Sequence, residues 1–287
     1  MGKNPILGVI GGSGLYDFPA LEKKKDVLVH TPFGDPSSSI ILGELSGKPV
    51  AFLARHGIGH IYTPSEVNYQ ANIYALKSIG VNRIVSISAC GSLREDYSPG
   101  QIVIPDQIFD FTHKRQRSFF DKGVVVHVSA SDPFCPDLSN EVYQAVLNTG
   151  ATVHRSGTYI TIEGPRFSTK AESNLYREWG MSIIGMTACP EVFLAREAEI
   201  CYSTMAHVTD YDVWHMNEEP VTVEMVVKVL MANTEIAQKA IMNLVNKLPK
   251  KRSCDCEIAL KDAVMTRRDL LSKESREKFN LLLGKYL

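Results

Sequence analysis

Apolar residues recur along the chain in runs of strand length: Ile6 to Ile10, Val27 to Val29, Ile40 to Leu45, Val50 to Ala54, Arg83 to Ser88, Ile102 to Ile104, Tyr159 to Ile162, Ser182 to Ile184 and Ile200 to Val208. Between them, helical spacing runs through Glu66 to Ile79, Leu138 to Asn148, Lys170 to Glu178, Glu191 to Ala198 and Thr222 to Lys247. This alternation predicts an α/β fold on a mainly parallel, buried sheet. Ser65 stands where it would cap the first helix, and Thr222, two residues after Pro220, where it would cap the long C-terminal one. No internal repeat or low-complexity tract interrupts the pattern. Its character changes only at Pro249-Lys250-Lys251-Arg252-Ser253, a short basic connection that leads into a tail with helical pattern from Thr266 to Tyr286. So short a run reads as a solvated linker, giving a main unit over 1–248 and a linker and helical tail over 249–287 packed on the same domain.

Composition narrows the class. A chain of 287 residues with 44% apolar content can bury a large core. The formal charge of −1 offers no general attraction to nucleic acid or anionic lipid, so neither is expected as a partner. The opening MGKNPILGVIGG has too short an apolar run for a signal peptide, and no segment approaches the length of a membrane span. The expectation is a soluble, cytoplasmic protein. Six cysteines, at positions 90, 135, 189, 201, 254 and 256, read first as free thiols. Cys254 and Cys256 could instead close a small strained disulfide, and a Cys135–Cys201 bridge is left open with nothing in the sequence to bring those two together. No Cys-x-x-Cys pair of a structural zinc site is present. His56 and His60 are four apart, but Gly57 and Gly59 oppose the helix that a zinc pair would need, so no metal is expected.

Candidate chemistry starts where the first strand runs into Gly11-Gly12-Ser13-Gly14. Such a loop lets a ligand approach the main chain, and consecutive N–H groups most often hold a phosphate. Three familiar signatures fail: Asp17 replaces the third glycine of a dinucleotide fingerprint, no lysine follows as in a Walker loop, and Leu15 breaks a nucleophile elbow. Other strands end in Arg55-His56-Gly57, Ala89-Cys90-Gly91-Ser92, Gly185-Met186-Thr187 and Thr209-Asp210-Tyr211-Asp212. Ligands of α/β sheets bind beyond such strand ends. Hydroxyls, open backbone, one guanidinium and one imidazole make an anion-binding set, in which the arginine fork suits phosphate oxygens. The two aspartates would repel phosphate and should face another part of the ligand.

GGSGLYD, TPFG, ARHG, NYQANIYALK, ACGSLR, PGQIVIPDQ, TIEGPRFST, GMT with PEV close behind, and TDYD occur in this order. From about Ile6 to Leu230 the chain resembles the 5′-methylthioadenosine phosphorylases of the trimeric purine nucleoside phosphorylase family. Beyond Pro249 the likeness fades. The resemblance implies a nucleoside phosphorylase-like α/β domain with a mixed central sheet flanked by helices, and no cofactor. Inorganic phosphate would be a co-substrate that displaces adenine from 5′-methylthioadenosine, and the assembly would be a homotrimer or homohexamer. A broader purine nucleoside phosphorylase acting on adenosine, inosine or guanosine is the alternative.

By the same resemblance, Ser13, Arg55, His56, Ser88, Ala89 and Thr187 would hold phosphate. Asp210 would be the acid that protonates or hydrogen-bonds the leaving purine near N7. Burial would raise its pKa together with the like charge of Asp212, which two residues on would share a strand face with it. Ser168 and Phe167 would contact the base and Met186 would pack beneath the ribose. His60, His127 and Val223 would surround the 5′ substituent, His127 reaching in from a neighbouring subunit. The carboxylates of TDYD would accept from a 6-amino group, favouring adenine over 6-oxo purines.

Overall fold

Leu7–Gly11 is buried at every position, as a strand covered on both faces must be, and it forms β1 at the centre of the molecule. The structure is a computed structural model, which describes residues 5–12, 18–121, 123–215 and 222–287. After β1 come β2 (Glu22–Val27), β3 (Ile40–Leu45), β4 (Lys48–Ala54) and α1 (Tyr69–Ser78). Next are β5 (Arg83–Ser92), β6 (Ile102–Ile104), β7 (Gln107–Phe111) and α2 (Pro136–Leu147). The chain continues with β8 (Val153–Arg155), β9 (Thr158–Ile162), α3 (Lys170–Glu178), β10 (Ile183–Gly185), α4 (Glu191–Glu197) and β11 (Cys201–Asp210). It closes with α5 (Val223–Lys247) and α6 (Lys273–Leu283).

Among the described residues, eleven strands form one mixed sheet in the order β2-β3-β4-β1-β5-β10-β9-β7, with β11 pairing with both β5 and β6 and β8 pairing with β6. Strands β4, β1, β5 and β11 run parallel, so their carboxyl ends emerge on one edge. Gly11 is level with Ala54, and Asp210 is level with Gly91. This register gathers Gly11-Gly12, Arg55-His56, Ser88-Ala89 and Asp210. Residues of alternate parity feed the two faces: Ile10, Leu53 and Ile84 pack beneath α1 and α4, while Val9, Phe52 and Val85 pack with α2 and α5. Leu260, Phe279, Leu282 and Leu283 of the last forty residues are buried in the first of these layers.

The differences from the expected elements have local causes. β2 lies five residues earlier than the apolar run at Val27, because it is an exposed edge strand of sequence EKKKDV; charge on an edge blocks further pairing. β7 and β8 carry too few apolar residues to stand out. Ser65 does not cap α1. Its hydroxyl donates to Glu163, and the helix starts beyond Asn68, whose side chain accepts from the Ala71 N–H at 3.1 Å. Thr222 directly precedes α5, and its carbonyl accepts from the Val226 N–H at 3.2 Å. The sheet is more mixed than the sequence pattern suggests, since β10 lies antiparallel to β5 and β6 antiparallel to β11.

Candidate active site

The parallel strand ends open into a cavity of about 350 Å³. Twelve of the fourteen predicted site residues line it: Arg55, His56, His60, Ser88, Ala89, Phe167, Ser168, Met186, Thr187, Asp210, Asp212 and Val223. Ser13 lies outside the described residues, although Gly12 just before it borders the cavity. His127 is exposed and absent from the lining of its own chain, and its backbone N–H donates to Ala263 O at 2.9 Å.

Arg55 is 1% exposed, and its fork faces inward rather than toward the cavity mouth. Nε donates to Glu191 Oε2 at 2.9 Å and Nη2 to Glu191 Oε1 at 3.1 Å. Nη2 also donates to Ser86 Oγ at 2.6 Å, and Nη1 to Ile87 O at 3.2 Å. Four of the guanidinium's five N–H donors are thus spent inside the protein, leaving one on Nη1. Burial opposes the charge on Arg55, but Glu191 more than compensates and keeps the pKa above its ordinary value. The fork grips Glu191, which also accepts from Tyr202 Oη at 2.7 Å, so Arg55 has one N–H left for an anion in the cavity it lines.

His56 is neutral. Burial first, and then the charge of Arg55, lower its pKa to about 4. Its Nδ1 stands 2.9 Å from Tyr62 O, and because a carbonyl only accepts, Nδ1 carries the proton. Nε2 is then an acceptor, suited to a hydroxyl or a protonated phosphate oxygen. His60 lies parallel on the same ring, with centroids 4.3 Å apart. Ser88 and Ser168 hydroxyls are buried without a hydrogen-bond partner among the described residues, which leaves both for a ligand.

Asp210 ends β11, and burial raises its pKa to about 6 against two opposing hydrogen bonds. Its Oδ1 accepts from the Asp212 N–H at 2.8 Å, and Oδ2 lies 2.6 Å from Thr209 Oγ1. The Thr209 hydroxyl is also 3.2 Å from Cys90 O. It has one proton to share between the Asp210 carboxylate and Cys90 O, and given to the carboxylate it favours the ionised form that burial opposes.

Asp212 does not share a strand face with Asp210. The strand stops, the chain turns, and Asp212 adopts a left-handed φ of 52°. Its like charge is the least of the causes acting on Asp210; burial is the greatest. Gly91 makes the room. A Cβ there would stand 2.9 Å from Asp210 Oδ1 and 3.1 Å from Ile184 Cγ2.

Sequence reasoning missed Arg115, which ties the loops around the cavity together. Its Nη1 donates to Met186 O and Cys189 O, both at 2.6 Å, and its Nη2 to Glu163 O at 2.8 Å. Burial would raise Glu163, but hydrogen bonds from Ser65, His113 and Lys114, with the charge of Arg115, hold it at about 2. His207 and Asn233 were also missed. Both are buried cavity residues, and burial lowers the His207 pKa to about 4. Val226, Val227 and Met231 extend the apolar wall that Val223 begins along α5.

A profile of the Phosphorylase superfamily matches residues 6–246. The chain belongs to that superfamily. An S-methyl-5′-thioadenosine phosphorylase of Geobacter sulfurreducens is 49% identical over 283 residues, covering 98% of this chain and 99% of the relative. That of Hyperthermus butylicus is 53% identical over 263 residues, covering 90% and 95%. Among solved structures, a methylthioadenosine phosphorylase from an antarctic soil metagenomic library superposes with a TM-score of 0.91 at 47% identity, covering 98% of this chain and all of that one. A methylthioadenosine phosphorylase from Schistosoma mansoni in complex with adenine gives 0.86 at 36% identity, covering 93% of this chain and 100% of the other. The mixed α/β phosphorylase fold expected from the sequence is the fold observed. No helix among the described residues is long and apolar enough to cross a membrane.

Proposed function

We propose that this phosphorylase cleaves 5′-methylthioadenosine with inorganic phosphate, giving adenine and 5-methylthioribose 1-phosphate, without a cofactor in the reaction. The observation that carries the reading is Asp210, a carboxyl whose pKa burial raises to about 6, in the same cavity as the Ser88, Thr187 and His56 strand ends. As the C1′–N9 bond breaks, its electron pair passes to the purine and the ribose becomes oxocarbenium-like. Asp210 gives its proton to the base at N7. A phosphate oxygen closes on C1′, and the proton that hydrogen phosphate loses on becoming an ester balances the one given by Asp210. The partly negative phosphate stabilises the sugar cation, while the acid is worth about 10²–10⁴-fold.

Ser13, the remaining Arg55 N–H, Ser88, Ala89 and Thr187 form the phosphate side of the reading. Phe167, Ser168 and Asp212 form the purine side, with Met186 under the ribose. Val223 and its neighbours on α5 give the 5′ position the apolar wall that a methylthio group requires. A neighbouring copy in a homotrimer or homohexamer lends His127 to that wall, and the reaction belongs to cytoplasmic purine salvage. The deciding experiment incubates the protein with 5′-methylthioadenosine, with and without phosphate, and follows free adenine. Adenine should appear only with phosphate; release without it means hydrolysis and overturns the reading. In parallel, kcat/KM should be higher for methylthioadenosine than for inosine, and a preference for inosine would reject the substrate.

A further inference from the structure

Four cysteines that the sequence scatters meet at the opposite end of β11 from Asp210. Cys135 caps α2, Cys201 opens β11, and Cys254 and Cys256 flank Asp255 in the connection to the tail. Their four Sγ atoms all lie within 4.8 Å of one another, with Cys201 and Cys254 at 3.3 Å. Three of the four residues are buried and the fourth is half-buried. A zinc ion bound to four thiolates at about 2.3 Å places its sulfurs about 3.8 Å apart, inside that spread. We propose that Cys135, Cys201, Cys254 and Cys256 form a tetrahedral structural zinc site.

The surroundings suit an anionic thiolate cage. Cys135 Sγ accepts from the Leu138 N–H at 3.4 Å, at the positive end of α2. Arg196 Nη1 donates to Cys256 Sγ at 3.8 Å. Arg252 borders the same recess as Cys135, Cys201 and Cys254. Zinc with four thiolates carries two net negative charges; Arg196 bears on them directly, and Arg252 borders them while also pairing with Glu257 at 3.1 Å. Binding releases four protons and changes no oxidation state. With four protein ligands the ion has no open position for water or substrate, so the site is structural. Nine steps of strand, about 30 Å, separate Cys201 from Asp210. The site fastens the segment after Pro249 to the base of the central sheet. Sequence spacing concealed it because only the Cys254–Cys256 pair is local; the fold supplies the other two ligands.

The test uses the full chain, purified without chelator and without a nickel column. Elemental analysis should find about one zinc per chain, and mass spectrometry of the denatured, alkylated protein should count all six thiols. Cys254→Ser/Cys256→Ser should lose the zinc and keep the KM for methylthioadenosine. Should that variant not fold, the wild-type chain loaded with Co²⁺ should show the intense visible bands of a tetrahedral thiolate complex. A chain four hydrogens lighter, with two disulfides, would overturn the proposal. So would six free thiols without metal, or zinc that survives the double substitution.

Discussion

Asp210 and Arg55 show how single residues can be legible as candidates while their surroundings are not. Their place in TDYD and ARHG marks them as site residues, but the partners that set their chemistry lie far away in sequence. Glu191 stands 136 positions from Arg55. Arg55→Ala would leave Glu191 buried without its counter-charge and should destabilise the protein by about 3–5 kcal/mol in urea unfolding. A phosphate KM measured on that variant would mix binding with unfolding. Thr187→Val and Ser88→Ala avoid this and should each raise the KM for phosphate about tenfold or more, with the KM for nucleoside little changed. Asp210 supports a prediction in pH. Its carboxyl ordinarily titrates at 3.8 and is raised to about 6 by burial, so the fold favours the protonated form. That contribution is complete below about pH 4 and is lost as pH rises through about 6. Asp210→Asn should therefore be more stable than the wild type by about 2–3 kcal/mol at pH 8 and nearly equal to it at pH 4. Phosphate-free calorimetry should also show adenine binding to the wild type weakening above about pH 6, a limb absent in Asp210→Asn.

At the scale of elements, the central strands and main helices follow from periodicity, whereas the elements of the rim do not. β1, β5 and β11 are buried along almost all of their length because both faces are covered. β2 is charged and β8 only three residues long, so their pairing comes from neighbours rather than from pattern. The pairing of β5 with β11 bears directly on the proposed acid. Gly91 and Asp210 are level in that pairing, and a methyl at Gly91 would meet the Asp210 carboxyl at 2.9 Å and Ile184 behind it. The strand cannot retreat, because β10 pairs with it at Gly91 on the other side. Gly91→Ala should lower kcat/KM on the order of 10²-fold by displacing the acid. Circular dichroism should show an unchanged fold. Activity equal to the wild type would mean that Asp210 is not held in its working position by this contact.

For the molecule as a whole, the family profile stops at residue 246, but the fading likeness expected beyond Pro249 is corrected: a relative aligns over 98% of the chain, and the core continues into the tail. Leu260, Leu271, Phe279, Leu282 and Leu283 are buried with Ile10, Leu53 and Ile84 of the central strands. Phe279 is 1% exposed and stands 5.5 Å from Phe120 and 6.3 Å from Phe33, ring to ring. The opposite face of the sheet receives Cys256. Arg83 Nη2 donates to Pro249 O at 2.9 Å, and Lys285 Nζ lies 2.6 Å from Glu199 Oε2. These contacts join the tail to both layers, so tail and main unit should unfold together. Phe279→Ala removes a large buried ring and should cost about 3–5 kcal/mol. Its denaturation should remain a single transition, with fluorescence and circular dichroism curves superimposed. The KM for methylthioadenosine should stay as in the wild type, because Phe279 does not line the cavity. Two separate transitions, the first following only the tail, would show instead that residues 249–287 form an independent unit laid over a core complete without them.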